Sequence, residues 1–234
     1  MRKPLIIAVA QPRIVPHDVA ANAIVHTAAV RAARARVVVF PELSLSGYEL
    51  DASAIAPDDP RLAPIVEACA ETGSLALAGA PVVGARGEGD AIAVLAIDTG
   101  VTVAYRKMWL GDEEAERFAP GGKPAVLTVD GWRLGLAVCK DTGVPEHASD
   151  TAALGIDVYV AGLVKPEDEA SQQDARAHRA ATAHRVWVAF SSFAGSAGGG
   201  IGRAAGRSSI RTPDGVVVAQ AGPEAGAIVR AVLR

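Results

Sequence analysis

Three residues with complementary acid, base and nucleophile chemistry each close an apolar run. Glu42 ends "RVVVFPE", Lys107 ends "VTVAYRK" and Cys139 ends "RLGLAVC". In layered α/β proteins sites gather outside strand ends, because strands hold those ends rigidly while the loops beyond are free to carry polar groups. The three side chains can therefore meet, although the chain separates them widely. A thiol near neutral pH is only a few per cent ionised, so it benefits from a base, and Glu42 can take its proton. Attack of the sulfur on an amide or nitrile carbon leaves negative charge on the former carbonyl oxygen or nitrile nitrogen. Lys107 and the backbone N–H of Lys140 can stabilise that charge, and losing one such donor typically costs about 3–4 kcal/mol of barrier. The glutamic acid can then protonate the departing amine and activate water against the thioester. The turn "CKDTGVPE" feeds a helix, and the dipole at its N-terminus is expected to favour thiolate.

Each residue alone has a plainer reading. A free cysteine is more often an inert core residue than a nucleophile, and Cys69, inside the helical pattern "IVEACAETG", fits that description. Glu42 alone could be a solvated turn residue and Lys107 an ordinary strand-end cation. The chain holds only five lysines against 18 arginines, however, so a lysine is not its default positive charge. That points Lys107 toward a task suited to a compact ammonium. A rival constellation would pair Cys139 with a histidine. His147 is near it in sequence, and His178 and His184 share one expected helix, although helical histidines are usually structural or solvated.

The elements that must position these groups follow from hydrophobic periodicity. Strands are expected at Leu5–Ala10, at "RVVVFPE", from Ser74 to Val83, from Val158 to Val164 and at "VWVAFSSF". Helices are expected from His17 to Ala35 with a cap near Asp18, around Leu62–Glu71, near Glu146–Leu154, and from about Glu167 to Arg185. Hairpins turn at Asp98-Thr99-Gly100, at Asp130-Gly131 and at Asp214-Gly215. Helices and hairpins thus alternate in two similar halves, the signature of stacked helix and sheet layers. The stretch "GSAGGGIGRAAG", residues 195–206, follows a strand but leads into a hairpin, which excludes a dinucleotide loop and leaves a mobile surface loop.

Composition bounds the rest. The chain has 234 residues and no Ser-rich, Pro-rich or charged linker, so residues 1–234 read as one domain. Half the residues are hydrophobic and only 4% aromatic, so Ala, Val, Leu and Ile must fill the core. A net charge of -3 without Lys/Arg clusters argues against nucleic acid as a partner. The start imitates a signal peptide, but its apolar stretch, Leu5 to Ala10, is shorter than such a region needs and reads as a strand. No run approaches the roughly 18 apolar residues of a membrane span. Two cysteines 70 positions apart point to free thiols in a reducing, cytoplasmic setting.

At these residues the sequence resembles the nitrilase superfamily of carbon–nitrogen hydrolases over nearly its whole length. "VVVFPELSLSGY" resembles the segment of the family's glutamate base, "YRKMWL" the lysine segment, and "LGLAVCKDTGVPE" the nucleophile segment, in the family's order and spacing. "AQP", Asn22, "FAPGG" and "GRSSIRTPDGVVVAQA" are weaker matches. The resemblance implies a four-layer α-β-β-α sandwich, no metal or cofactor, a small amide or nitrile as substrate, and a homodimer. It also implies a second glutamate ahead of "RFAPGG" that orients the lysine; of Glu113, Glu114 and Glu116, counting back from Phe118 selects Glu114. Lys140 stands where an aromatic residue is commoner and Trp109 where histidine is frequent. Substrate choice is therefore expected to depend on the loop positions around Tyr48, Trp109, Lys140 and Val164. The chain stops soon after "GAIVRAVLR", so assemblies beyond the dimer are not expected. The implied activity is amide hydrolysis, with nitrile hydrolysis or silent metabolite or partner binding as alternatives.

Overall fold

Side chains of different size occupy the two faces of the first strands, and this decides how the layers stack. Along β1 (Leu5–Ala10), β2 (Val37–Val39) and β3 (Leu75–Val82), Leu5, Ile7, Val9, Val37, Val39 and Leu77 lie in one buried cluster. Ala8, Ala10, Val38, Ala76 and Ala78 lie in another. The larger residues meet a second sheet, while the alanines let helices approach closely. Each fully buried Val, Leu or Ile contributes about 1.5–3 kcal/mol, which is how a core with few aromatics is held.

The computed structural model describes residues 2–84 and 89–234. The first sheet continues through β4 (Ala91–Ile97) and β5 (Val101–Arg106) and closes on its other edge with β14 (Ile228–Leu233), in the order β14-β1-β2-β3-β4-β5. The second contains β6 (Ala125–Val129), β7 (Trp132–Val138), β8 (Val158–Leu163), β9 (Trp187–Ser192), β12 (Ser209–Arg211) and β13 (Val217–Gln220). Its order is β13-β12-β9-β8-β7-β6. In each sheet three strands run parallel, β1-β2-β3 and β7-β8-β9, and antiparallel strands flank them. A short ribbon, β10 (Ala194–Gly195) with β11 (Ala204–Ala205), completes the strands.

Helices α1 (Val19–Ala33) and α2 (Ala63–Thr72) cover the first sheet through Val19, Ala23, Val30, Ile65 and Ala68. Helices α4 (Pro145–Ala153) and α5 (Ala170–His184) cover the second through Ala148, Ala177, Ala180 and Ala181. The result is the expected four-layer α-β-β-α sandwich. Asp18 caps α1 by accepting from the Ala21 N–H at 2.9 Å. Asp130 and Gly131 both have positive φ, 50° and 84°, as the tight β6–β7 hairpin requires. Among the described residues no helix is long and apolar enough to cross a membrane.

Three features differ from the sequence expectations. The strand at "RVVVFPE" ends at Val39, and the chain leaves the sheet before reaching Glu42. Strand β14 was not expected; it pairs antiparallel with β1 and returns the chain's end to the first sheet. Segment 195–206 lies largely at the surface as expected, but it is anchored: Ala197 is fully buried and its carbonyl accepts from the Tyr48 N–H at 2.7 Å. Its glycines at 198 and 199 lie against the Tyr48–Glu49 backbone and side chains where a Cβ would collide.

Candidate active site

The segment carrying Glu42 is threaded between the two sheets. A Cβ on Gly79 of β3 would lie 2.5 Å from the Pro41 carbonyl oxygen, and one on Gly162 of β8 would lie 2.7 Å from the Phe40 carbonyl oxygen and 2.8 Å from the Glu42 nitrogen. Only glycine on both facing strands admits this backbone. Beyond Glu42 the loop is pinned to α1. The Asn22 amide donates to the Val15 and Leu45 carbonyls at 2.8 and 3.0 Å, and His26 Nε2 lies 2.9 Å from Ser44 Oγ. Lys107 follows β5 directly, and Cys139 follows β7 directly.

These strand ends bring the expected groups together. Lys107 Nζ donates to Glu42 Oε1 at 2.6 Å and to both oxygens of Glu114 at 2.7 Å. Glu114 belongs to the one-turn helix α3 (Asp112–Ala115), where Oε2 accepts from the Gly111 N–H at 2.6 Å. The Tyr48 hydroxyl donates to Glu114 Oε1 at 2.9 Å. Glu42, Lys107 and Glu114 are all buried, whereas Glu113 and Glu116 are exposed. Cys139 Sγ donates to the carbonyl of Val164, just beyond β8, at 3.2 Å. Trp109 is 42% exposed, at the surface near these groups. The Lys140 side chain is not drawn inward: Nζ donates to the Leu110 carbonyl at 2.6 Å, along the loop outside the cluster.

Burial governs the charges. It raises Glu42 to about 7; the Lys107 ammonium opposes that rise, and the neighbouring Glu114 carboxylate adds to it. Burial disfavours the Lys107 ammonium, but Glu42, Cys139 and Glu114 outweigh that and hold its pKa above the usual lysine value. Glu114 is buried too, yet Lys107 and the donors from Gly111 and Tyr48 keep it below the usual carboxylate range. Cys139 is pushed up to about 12, by burial first and by the Glu42 charge second, with Lys107 opposing. The expected thiolate-favouring dipole is absent, because α4 starts only at Pro145 and the turn Cys139–Gly143 is a 3₁₀ helix. The resting sulfur is a thiol. Cys139 itself sits at φ 38°, a left-handed conformation that a non-glycine residue holds only where its surroundings enforce it.

The histidine constellation does not form. His147 is buried, with Nε2 at 2.8 Å from the Tyr105 hydroxyl and Nδ1 at 2.8 Å from the Tyr159 hydroxyl. Burial lowers its pKa. Cys69 is buried between α2 and the first sheet, its thiol raised to about 11 by burial. Sequence reasoning missed Gly79 and Gly162, although a glycine inside a strand pattern does signal close backbone approach. It also missed Asp141 and Tyr105, whose partners are remote in sequence.

A layered sandwich that joins a carboxylate, an ammonium and a thiol at its strand ends defines a class of thiol-bearing α/β proteins. The carbon-nitrogen hydrolase family model matches residues 6–233, and the chain belongs to that family. A Pseudomonas protegens relative, described as a hydrolase in the pqqF 5' region, is 30% identical over 225 residues, spanning 92% of this chain and 78% of the relative. An (R)-stereoselective amidase from Pseudomonas sp is 34% identical over 67 residues, 29% of this chain and 24% of that one. Among solved structures, an amidase from Nesterenkonia sp. superposes with a TM-score of 0.87 at 25% identity, over 98% of this chain and 90% of the other. Saccharomyces cerevisiae Nit3, a member of branch 10 of the nitrilase superfamily, does so with a TM-score of 0.87 at 21% identity, over 99% and 90%.

Proposed function

We propose that this carbon–nitrogen hydrolase is an amidase that cleaves a small carboxylic amide or carbamoyl compound through a thioester on Cys139. The observation that carries the reading is the buried Glu42–Lys107–Glu114 cluster beside the thiol. Glu42 takes the thiol proton as the sulfur bonds to the amide carbon, and the carbonyl electron pair moves onto oxygen. That proton transfer assists itself: once Glu42 is neutral, it no longer opposes the thiolate, and Lys107 still attracts it. The oxyanion is met by the Lys107 ammonium and by the Lys140 N–H, which lies in the first turn of a 3₁₀ helix where such groups lack intrahelical partners.

Collapse of the tetrahedral adduct expels the amine, which leaves with the proton held by Glu42. Water then attacks the thioester carbonyl carbon, giving its proton to Glu42. The acid departs, and the sulfur recovers a proton from Glu42. Glu114 and Tyr48 orient Lys107 throughout. Tyr48, Trp109 and Val164 line the approach to the sulfur, and Lys140 acts through its backbone. The amidase neighbours favour amides over nitriles. The two free thiols suit a cytoplasmic protein, and we take residues 1–234 as one domain that pairs into a homodimer.

A panel of amides, ureas and nitriles, scored for ammonia release and for the ratio of acid to amide product, tests the assignment. Amides should be hydrolysed, with turnover lost in Glu42→Gln, Lys107→Ala and Cys139→Ala. Acid formed from nitriles while amides stay untouched would make the protein a nitrilase instead.

A further inference from the structure

Asp141 takes no part in the proposed chemistry, yet its fully buried carboxylate gathers donors from both strand ends that carry the site. Oδ2 accepts from the Val138 N–H and from the Tyr105 hydroxyl, each at 2.8 Å. Oδ1 accepts from the Trp109 N–H at 2.9 Å. Val138 immediately precedes Cys139, while Tyr105 and Trp109 stand two residues before and after Lys107. One side chain thus ties the lysine-bearing backbone of the first sheet to the cysteine-bearing backbone of the second.

The other polar groups facing Asp141 act through Tyr105. His147 Nε2 is 4.0 Å from Oδ2 and 2.8 Å from the Tyr105 oxygen. Because Tyr105 gives its only proton to Asp141, it accepts from an Nε2–H of His147, whose Nδ1 then accepts from Tyr159. The imidazole is therefore neutral and the network is satisfied. Burying a carboxylate is costly even when it is hydrogen-bonded, and an apolar side chain would fill the space more cheaply. What an apolar side chain cannot supply is a strut of fixed length between two backbones.

We infer that Asp141 is a positioning residue, whose carboxylate sets the distance between the Lys107 ammonium and the Cys139 sulfur and so places the ammonium at the developing oxyanion. This inference rests on the hydrolase reading above. A displacement of about 1 Å at such a site can cost on the order of 10²-fold in rate.

Asp141→Asn keeps the shape but must turn its NH₂ toward one of the two backbone donors, so one end of the strut is lost. Tyr105→Phe removes the phenol and leaves both backbone bonds. For each variant kcat and KM are measured on an amide, beside the rate at which iodoacetamide alkylates Cys139. Alkylation uses the thiol and its base but builds no oxyanion, so it separates loss of Lys107 placement from general damage. For Asp141→Asn the expected result is a kcat lower by roughly 30-fold or more. KM and the alkylation rate should stay within about threefold, and Tyr105→Phe, which keeps both backbone bonds, should lower kcat less than Asp141→Asn does.

If Asp141→Asn does not fold, Asp141→Glu retains the charge but lengthens the strut by one methylene, and the same split is expected. An unchanged kcat, or parallel loss of kcat and alkylation, overturns the proposal. Wild-type protein that turns over no amide refutes the hydrolase reading instead, whereas turnover indifferent to Asp141→Asn refutes the strut alone.

Discussion

Glu42 carries a proton-linked cost that reaches both rate and stability. In the proposed role of base it must be ionised, and its pKa is raised to about 7. kcat/KM for an amide should therefore rise about tenfold per pH unit below 7 and level off above it. Cys139 at about 12 and a raised Lys107 put no second limb below pH 9. A profile flat from pH 5 to 8 would remove Glu42 from the role. For stability, the folded pKa lies above the ordinary 4.5, so Glu42's contribution is fully present below pH 4.5 and is lost as pH rises through 7. The displacement corresponds to roughly 3 kcal/mol. Thermal melts should show Glu42→Gln more stable than wild type at pH 8, with the gap closing toward pH 5; a gap independent of pH would contradict this. Glu42, Lys107 and Cys139 were legible in the sequence because each ends an apolar run. Glu114 was legible only through family resemblance, since nothing local distinguishes it from Glu113 and Glu116. Asp141 was not legible, because its meaning lies in three donors that the fold brings together.

At the scale of elements, the Glu42 segment is positioned by what two strands omit. Gly162 of β8 and Gly79 of β3 leave room for the Phe40–Leu43 backbone. Gly162→Ala should destabilise the fold by about 1–3 kcal/mol and lower kcat, as the added methyl pushes the Glu42 segment away. Gly100→Ala, in the β4–β5 turn with nothing within 4 Å of the added carbon, should change neither. Denaturant melts and initial rates on the pair check this, and equal behaviour of the two variants would contradict it. Helices and hairpins were legible from their periodicity and turns, with helix ends displaced by one to three residues. The short β2 was overextended because "FPE" continues the apolar run, although its backbone has already left the sheet. Strand β14 was missed because it is a half-buried edge whose pattern makes sense only beside β1. The anchoring of the glycine-rich segment was not legible, because the residues it packs against, Tyr48 and Glu49, are far away in sequence.

At the scale of the molecule, the two sheets act as one frame, and polar ties cross between them. Ser191 Oγ donates to the Ala10 carbonyl at 2.7 Å, and Trp132 Nε1 donates to the Lys3 carbonyl at 2.9 Å. Gln11, of the "AQP" match, donates to the Gly222 and Glu224 carbonyls and accepts from the Ser208 N–H. The frame matters to the proposed chemistry because Lys107 follows a strand of one sheet and Cys139 a strand of the other, so turnover would test the whole assembly. The most direct measurement is intact-protein mass spectrometry after rapid acid quench during amide turnover. The expected result is added mass equal to the acyl group, mapped to the peptide of Cys139 and absent from Cys139→Ala. Amide hydrolysis without any adduct, undiminished in Cys139→Ala, would contradict it.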